Sequence, residues 1–411
     1  MKRKLALLFV LAGLALPLFA AAPMSPERVT PEQVSPEQVT PGQVTPGQVN
    51  TVQLEAAVAQ LRRKSDAHVA KQLSELELTE RLSALRFAQL NAAMPGAAAR
   101  LALIALADRS AFLSLPTSDI PAIPVPDSAA QAALLAKTAA FARESLSRLP
   151  DFFATELITQ YSADPLKASS AAGADPNGQK LRLVAQSSAT VRFLAGKEEI
   201  DAGQVETRSL RPIEKQLTVQ GVFGPILRVV LKDALANHPV WSHWEQGTTG
   251  PMAVFQYDVP EEKSHYAVAD SVNSGILQPI TAYRGEIGVD PASGAILRLV
   301  LIAVPHENSP VARANLLVEY GPVEIGGKTY ICPLRSVAIS LARNINLLQD
   351  VYKFTQTEQM PYKLELNDVE YAQYHLFRAE VRVLPGEADG NSRSLGSPPD
   401  PKAAPATSPQ R

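Results

Sequence analysis

The stretch YRGEIGVDPASGAILRLVLIAV, residues 283–304, has the pattern of two β-strands joined by a tight turn. The turn Asp290-Pro-Ala-Ser-Gly294 separates the runs Ile280–Val289 and Ala295–Val304, and its glycine stands where a hairpin needs a positive φ. A second hairpin is predicted further along, where Gly326-Gly327 joins the run Leu316–Ile325 to the run Lys328–Ser340. Short connections of this kind favour neighbouring antiparallel strands over βαβ units.

The same period of two extends in both directions from these hairpins. It predicts an antiparallel β domain over residues 151–384, with roughly ten to thirteen strands in one large sheet. One helix interrupts the strands, and Pro225 is well placed at its first position. With helices before the strands, the chain is predicted to belong to the α+β class.

Residues 51–113 predict a helical hairpin region, because apolar residues recur at helical spacing on both sides of Pro95-Gly96. A connecting helix over residues 127–150 follows, with Asp127 as its N-cap. Residues at helical spacing form a stripe along one face of the helix. Such a stripe usually packs against a neighbouring element, and it can also bind a partner. The predicted stripes are Leu54, Val58 and Leu61, then Leu78, Leu82 and Leu85, and last Leu101, Ala105, Asp108 and Phe112.

The remaining segments predict a signal peptide for export, two Pro-rich linkers and a disordered tail. Residues 1–22 have the charged start, apolar run and small-residue end of a cleaved signal peptide, which places the protein in the periplasm or outside the cell. After cleavage no transmembrane span is expected. Five pentapeptides make residues 23–50 a Pro-rich linker, residues 114–126 form a second one, and residues 385–411 a disordered tail.

Composition and motifs exclude several classes of function. A formal net charge of −2 without a basic block argues against nucleic-acid binding, and a single cysteine, Cys332, excludes a disulfide framework and a Cys-rich zinc site. The run Gly321–Thr329 imitates a phosphate-binding loop, but its first glycine is one position too early and a β-run follows. The sequence contains no Gly-x-Ser-x-Gly and no His-Glu-x-x-His motif. We expect no cofactor, no metal and no catalytic residue.

Tryptophan and histidine concentrate in one place, around Trp241 and Trp244. The two indoles can form a platform for an apolar ligand, or they can anchor the 225–237 helix against the sheet. The first alternative predicts a ligand-binding site formed with apolar residues of that helix and of the strand after it. The predicted site consists of Phe223, Ile226, Val230, Trp241, Trp244, Phe255 and Tyr257.

The hairpin Tyr283–Leu299 resembles a hairpin of periplasmic lipoprotein carriers and of their sigma-factor-regulator relatives, and Tyr320–Arg335 looks like the next one. This resemblance implies a curved, unclosed half-barrel with one covering helix and an apolar cavity. The whole chain also resembles a family of exported bacterial proteins without an assigned activity. Three segments carry this second resemblance: a helix at Leu78–Leu82, the turn Leu149–Phe152 and a strand at Tyr374–Glu380.

Three functional hypotheses follow. The first is a non-enzymatic exported protein whose β domain binds a lipid or acyl chain in the cell envelope. The alternative is an envelope protein-interaction or scaffolding module, in which the helices of residues 51–149 bind a protein partner. The third is a hydrolase, since acidic and histidine residues that are scattered in sequence can converge in space.

Overall fold

The computed structural model describes residues 47–163, 179–209, 222–223, 225–247, 250–267, 280–306, 309, 311–343 and 362–377. The predicted signal peptide, most of the pentapeptide linker and the predicted tail lie outside these residues, as do the last three residues of the strand expected at Tyr374–Glu380. The helices described are α1 (Thr51–Leu61), α2 (Asp66–Leu73), α3 (Ala84–Ala92), α4 (Ala97–Ser110), α5 (Ser128–Arg148) and α6 (Pro225–Ala236).

Twelve strands are described. Two short ones, β1 (Gln48–Val49) and β2 (Glu77–Leu78), pair with each other in parallel. The other ten are β3 (Phe152–Ser162), β4 (Arg182–Leu194), β5 (Lys197–Ser209), β6 (Val240–Gln246), β7 (Pro251–Val259), β8 (Ala282–Val289), β9 (Ile296–Val304), β10 (Val311–Ile325), β11 (Lys328–Arg343) and β12 (Tyr362–Leu376).

These ten strands form one open, curved antiparallel sheet, so the predicted α+β class is confirmed. The strand order is β5-β4-β3-β12-β11-β10-β9-β8-β7-β6. Each strand from β6 to β12 lies beside its successor in the sheet. The first strand of the domain, β3, pairs with the last, β12, and β5 and β6 remain as the two edges.

Both predicted hairpins are present. Ile325 and Lys328 are register partners around Gly326 and Gly327, whose φ angles are 60° and 80°. The same geometry shows that the Gly321–Thr329 run is a strand-turn-strand and not a phosphate loop, because Lys328 begins β11 instead of a helix. At the other hairpin, Gly294 has a φ of 78° and its N–H donates to the Asp290 carbonyl at 2.8 Å.

The helical prediction for residues 51–113 needs two corrections. The region contains four helices instead of two, because the chain turns at Ser65 and at Ser83 as well as at Gly96, the N-cap positions of α2, α3 and α4. The segment Leu78–Leu82 is not helical, since Leu78 belongs to β2 and pairs with Val49. In α5, by contrast, the expected N-cap Asp127 accepts a hydrogen bond from Ala130 N at 2.8 Å.

The two faces of the sheet carry different helices. The inner face, which bears Phe255 and Tyr283, packs against α6 and also against α5, so a second helix joins the one predicted there. The outer face, which bears Val337 and Leu366, packs against Ala105 and Phe112 at the C-terminal part of α4. The sheet is therefore the middle layer between the helices of residues 51–113 and the pair α5–α6.

The proline-rich segment of residues 114–126 is an ordered strap. It leads from α4 on the outer face to α5 on the inner face, and it passes the edge strand β6, where Trp244 Nε1 donates to the Pro124 carbonyl at 2.9 Å. Arg86 of α3 holds the strap through Asp119, with Nε–Oδ2 at 2.8 Å.

Candidate functional site

The seven residues predicted as a ligand site lie together on the inner face. Phe223, Val230, Phe255 and Tyr257 are buried in the main hydrophobic core, and Ile226, Trp241 and Trp244 are half-buried against it. No contact of the described residues decides between ligand binding and plain packing, so the ligand-binding role of these seven residues stays a prediction.

A β-bulge at Ser242 places the two tryptophans on the same face. Trp241 is the register partner of Phe255 and Trp244 that of Ala253, while Ser242 has no partner on β7. The two indole rings meet edge to face at a centroid distance of 5.1 Å, and Trp241 meets Phe255 in the same way at 5.6 Å. With the hydrogen bond to Pro124, these contacts make the pair an anchor for the strap and for the edge of the core.

Tyr257 uses its hydroxyl group inside the sheet. Its Oη donates to the Val300 carbonyl on β9 at 2.6 Å, reaching across Gly285 of the intervening strand β8. Burial raises the pKa of this phenol well above its ordinary value. A Cβ on Gly285 would lie 1.8 Å from the Val300 oxygen and 2.7 Å from Tyr257 Oη, so only glycine fits here.

The inner face also buries a carboxyl group that has no basic partner among the residues that the structure describes. Glu156 of β3 is 3 % exposed and is the register partner of Tyr371 on β12. Burial, and then the neighbouring Glu198, raise the pKa of Glu156 to about 7. This carboxyl group therefore changes its protonation state near neutral pH.

One carboxylate–imidazole pair resembles part of a catalytic site. Buried Asp233 of α6 accepts hydrogen bonds from His265 Nδ1 at 2.7 Å and from Tyr283 Oη at 2.9 Å. The other ring nitrogen, His265 Nε2, lies 3.1 Å from Lys232 Nζ. Among the described residues, no hydroxyl or thiol group occupies the position of a nucleophile next to His265. The pair thus fastens residues 264–266 to α6.

Buried charges connect the outer face to the helices of residues 51–113. Glu245 of β6 pairs with Arg81 at 2.6 Å and with Arg298 of β9, and Arg298 also reaches Glu286 at 3.2 Å. The Glu286–Arg298 pair therefore joins the two strands of the hairpin β8–β9. Burial acts to raise the pKa of Glu245, but His243 and the two guanidinium groups outweigh it and hold this pKa well below its usual range.

A second buried group lies five strands away on the same face. Arg335 of β11 pairs with Asp368 of β12 at 2.8 Å and with Asp108 of α4, which is 1 % exposed. Burial raises the pKa of Asp108, against the opposing effect of Arg335. The stripe Leu101, Ala105, Asp108 and Phe112 therefore faces the sheet and is not free for an outside partner.

An apolar cleft lies between these helices and the sheet. It has a volume of about 410 Å³ and is formed by α2 and α4 on one side and by β3 and β4 on the other. Its floor is fixed by Tyr161, whose hydroxyl group donates to the Leu101 carbonyl at 3.0 Å. The apolar residues that line it are Ala70, Leu73, Leu76, Ala98, Leu101, Ala102, Ala105, Leu106, Leu181 and Leu183.

Sequence reasoning missed this cleft for a specific reason. Leu101 and Ala105 belong to a stripe that predicts packing against some neighbouring element without naming it. Leu181 and Leu183 lie about eighty residues later, at the start of β4. The period-two spacing of Leu181 and Leu183 signals a strand with one apolar face. Nothing local in the sequence says that this face meets α4.

A second cleft, of about 550 Å³, lies between residues 111–114 and strands β7–β9 on the outer face. Its lining combines Asp258, Arg284 and Glu286 with Phe112 and Ile302. Charges of both signs line it, so its electrostatics favour neither an anionic nor a cationic ligand.

Cys332 is buried and unbonded on β11, and burial raises the pKa of its thiol to about 12. Within the described ranges, no group of three or more His, Cys, Asp or Glu side chains converges as a metal site would require. None of the described helices combines the length and the apolar composition of a membrane span.

Solved structures include a distant structural neighbour of this chain. No protein-family model and no curated protein matches the chain. The crystal structure of a LolA superfamily protein from Nitrosomonas europaea is similar, with 11% sequence identity and a TM-score of 0.25. The similarity covers 61% of this chain and 94% of that one.

Proposed function

We propose that this is an exported, non-enzymatic protein that binds a lipid or acyl chain in the apolar cleft between α2, α4, β3 and β4. The observation that carries this proposal is the cleft itself. Its volume of about 410 Å³ lies in the range of small-molecule sites, roughly 300–1,000 Å³, and ten of its fifteen lining residues are aliphatic. That volume suits one acyl chain better than the two chains of a diacyl lipid.

The walls of the cleft are well suited to keep a binding site open. Two contacts hold the α4 wall to the sheet, the buried Asp108–Arg335 pair and the hydrogen bond from Tyr161 of β3 to the Leu101 carbonyl. At one end Arg109 of α4 donates to the Gln179 carbonyl at 3.2 Å and pairs with Glu77 at 2.9 Å. Walls fixed at several points resist collapse into the apolar space between them.

The signal peptide predicted from the sequence also supports the proposal. The charged and apolar run of residues 1–22 predicts a signal peptide, and a soluble carrier of acyl chains is useful in an aqueous compartment next to a membrane. The alternative, a protein-interaction module, draws no support from the first and the last of the three helical stripes. Leu54 and Val58 are buried in the helical core, and the α4 stripe packs against the sheet.

The experiment that tests the proposal begins with native mass spectrometry and solvent extraction of the protein purified from its own envelope fraction. A co-purifying acyl compound of defined mass is the expected result. Dodecanol binding is then measured by calorimetry for wild type, for Ala102→Trp, which fills the cleft, and for Ala59→Trp, an exposed position on α1. Binding lost in Ala102→Trp alone supports the cleft.

Two other outcomes are informative. If Ala102→Trp binds dodecanol as wild type does, the cleft is not the site. If the double variant Trp241→Ala/Trp244→Ala is the one that loses binding while remaining folded, the site predicted on the inner face is the correct one. A protein that yields no acyl compound and binds no dodecanol overturns the proposal.

A further inference from the structure

The second cleft, between residues 111–114 and strands β7–β9 on the outer face, presents a regular array of polar side chains. Gln256 and Asp258 of β7 stand opposite Glu286 and Arg284 of β8, respectively. Residues on one face of an antiparallel sheet are spaced roughly 5 Å across the strands and roughly 7 Å along them. The four polar groups therefore cover an area larger than a single ion, and they suit a ligand with several polar groups.

Most groups of this array are available to a ligand. In the part of the chain that the structure describes, Gln256, Asp258 and Arg284 form no hydrogen bond and no ion pair, although Asp258 and Arg284 are direct register partners. All three are exposed to solvent. Glu286 is different, since Arg298 holds it at 3.2 Å. A ligand in the cleft therefore replaces water on these side chains without breaking a contact within the protein.

Apolar side chains complete the lining of this cleft. Leu113 and Val240 are 38 % and 62 % exposed, and Phe112 lines the cleft with them. The Arg313 guanidinium lies 5.8 Å from the centroid of the Phe112 ring, which fixes the ring in the wall. Exposed apolar side chains that lie together mark binding surfaces more often than isolated ones do. The ligand that fits this lining is therefore small and has an apolar side as well as polar groups.

A neutral saccharide matches this lining better than an ion does. Each sugar hydroxyl group both donates and accepts a hydrogen bond, and the cleft offers pure acceptors at Asp258 and Glu286 and a pure donor at Arg284. Gln256 and His238 add groups that can donate and accept. Because Asp258 and Arg284 have opposite charges, the pair gives the cleft no net attraction for an anion or a cation.

We infer that this cleft binds a neutral saccharide, with its hydroxyl groups at Asp258, Arg284 and Gln256 and the C–H face of a sugar ring on Phe112 and Leu113. The volume of about 550 Å³ lies in the range of small-molecule sites, roughly 300–1,000 Å³. A free amino acid also carries one charge of each sign, but it would leave the amide and the apolar wall unused. The inference is independent of the proposed acyl site, since the two clefts share no lining residue.

Saturation-transfer NMR on the full mature chain tests the inference. The neutral probes are glucose, cellobiose and di-N-acetylchitobiose, the charged sugars are glucuronate and glucosamine, and glycylglycine is the zwitterion. We expect a neutral saccharide to bind with a dissociation constant of about 1 mM or below, about fivefold more tightly than any charged probe. Asp258→Ala/Arg284→Ala should weaken that binding about tenfold, because two hydrogen-bonding side chains are lost.

The matched control is Glu324→Ala/Lys328→Ala, which removes one acid and one base from the exposed β10–β11 hairpin of the same sheet and should bind as wild type does. The inference is overturned if none of the three neutral saccharides binds, or if Asp258→Ala/Arg284→Ala binds as tightly as wild type. A preference for glycylglycine, glucuronate or glucosamine overturns it as well and names the class of ligand that replaces the saccharide. Dodecanol binding should be the same in wild type and in both double variants, so the acyl site is tested separately.

Discussion

Arg81 and Glu245 form a buried ion pair across the boundary between the helices and the sheet. Arg81 lies just before α3, Glu245 lies on the edge strand β6, and the distance from Nη2 to Oε2 is 2.6 Å. Both side chains are about nine-tenths buried, and Glu245 is shared with Arg298 of β9. The helices are therefore part of the same folded unit as the β domain, and the cleft between the two layers has fixed walls.

We expect Glu245→Gln to lower the free energy of unfolding by about 3–5 kcal/mol, because two buried guanidinium groups would lose the carboxylate that compensates them. Chemical denaturation measures this change. The control is Glu261→Gln, since Glu261 lies 3.2 Å from His306 in an exposed pair. Its cost should stay below about 1 kcal/mol. Equal costs for the two variants would contradict a buried network at Glu245.

The Trp244–Pro124 hydrogen bond should hold the strap of residues 114–126 in place against β6. Trp244→Phe keeps an aromatic ring and removes the N–H donor, so we expect the backbone amides of Ile123 and Val125 to exchange hydrogen faster, with a stability loss of about 1 kcal/mol. Hydrogen exchange with mass spectrometry of the strap peptides measures this. Peptides of the α2–α4 region serve as the internal reference. Unchanged exchange in the strap would show that Pro124 is held by other contacts.

Local turn chemistry made the hairpins predictable. Gly326-Gly327 and the Asp290–Gly294 turn each require a backbone conformation that few other residues adopt, so the sequence identifies them without knowledge of the rest of the fold. The pairing of β3 with β12 has no such local signal, because it joins residues more than 200 positions apart. The strand order was therefore beyond prediction, although the class of the sheet was not.

The residues of the candidate sites also divide into those with a local sequence signal and those without one. Trp241 and Trp244 are three residues apart, and regular alternation along a strand would place them on opposite faces. The bulge at Ser242 reverses this, and the sequence carries no mark of it. Similarly, Glu286 and Arg298 are diagonal neighbours within one hairpin, so their contact is local, whereas Glu245 and Arg81 reach them only through the tertiary fold.

Gly285→Ala should be strongly destabilising, because the new Cβ would lie 1.8 Å from the Val300 oxygen and would displace Tyr257 from its hydrogen bond. We expect a loss above about 3 kcal/mol or failure to fold. Tyr257→Phe keeps the ring over Gly285 and removes only the hydroxyl group, so its cost should be about 1–2 kcal/mol. Thermal denaturation of both variants shows which of them loses more stability. A smaller loss of stability in Gly285→Ala than in Tyr257→Phe would contradict the close approach of β8 and β9 at this position.

Cys332 should be unreactive in the folded protein. It is fully buried, and burial raises the pKa of its thiol to about 12, so little thiolate is present at neutral pH. A thiol-specific chromogenic reagent should label no cysteine in the native state and one per chain after unfolding in denaturant. Rapid native labelling, or a disulfide-linked dimer on a non-reducing gel, would contradict the buried position.

Glu156 should make stability depend on pH in a direction opposite to that of most carboxyl groups. Its pKa is raised from 4.5 to about 7 in the folded protein, by burial first and by Glu198 second. The native state therefore binds a proton more tightly than the unfolded chain does. The stabilising contribution is complete below pH 4.5, falls as the pH rises, and is lost above pH 7.

One pKa unit corresponds to about 1.4 kcal/mol. We therefore expect this single group to make the free energy of unfolding roughly 3 kcal/mol lower at pH 8 than at pH 4.5. Glu156→Gln is isosteric and neutral, so the variant should gain stability over wild type as the pH rises from 4.5 to 8. The difference between the two unfolding free energies, measured by urea denaturation across this range, removes the contribution of all other titrating groups. Glu370→Gln, an exposed position on the neighbouring strand β12, should give a flat difference. A flat difference for Glu156→Gln as well would mean that the carboxyl group has a partner that holds it ionised.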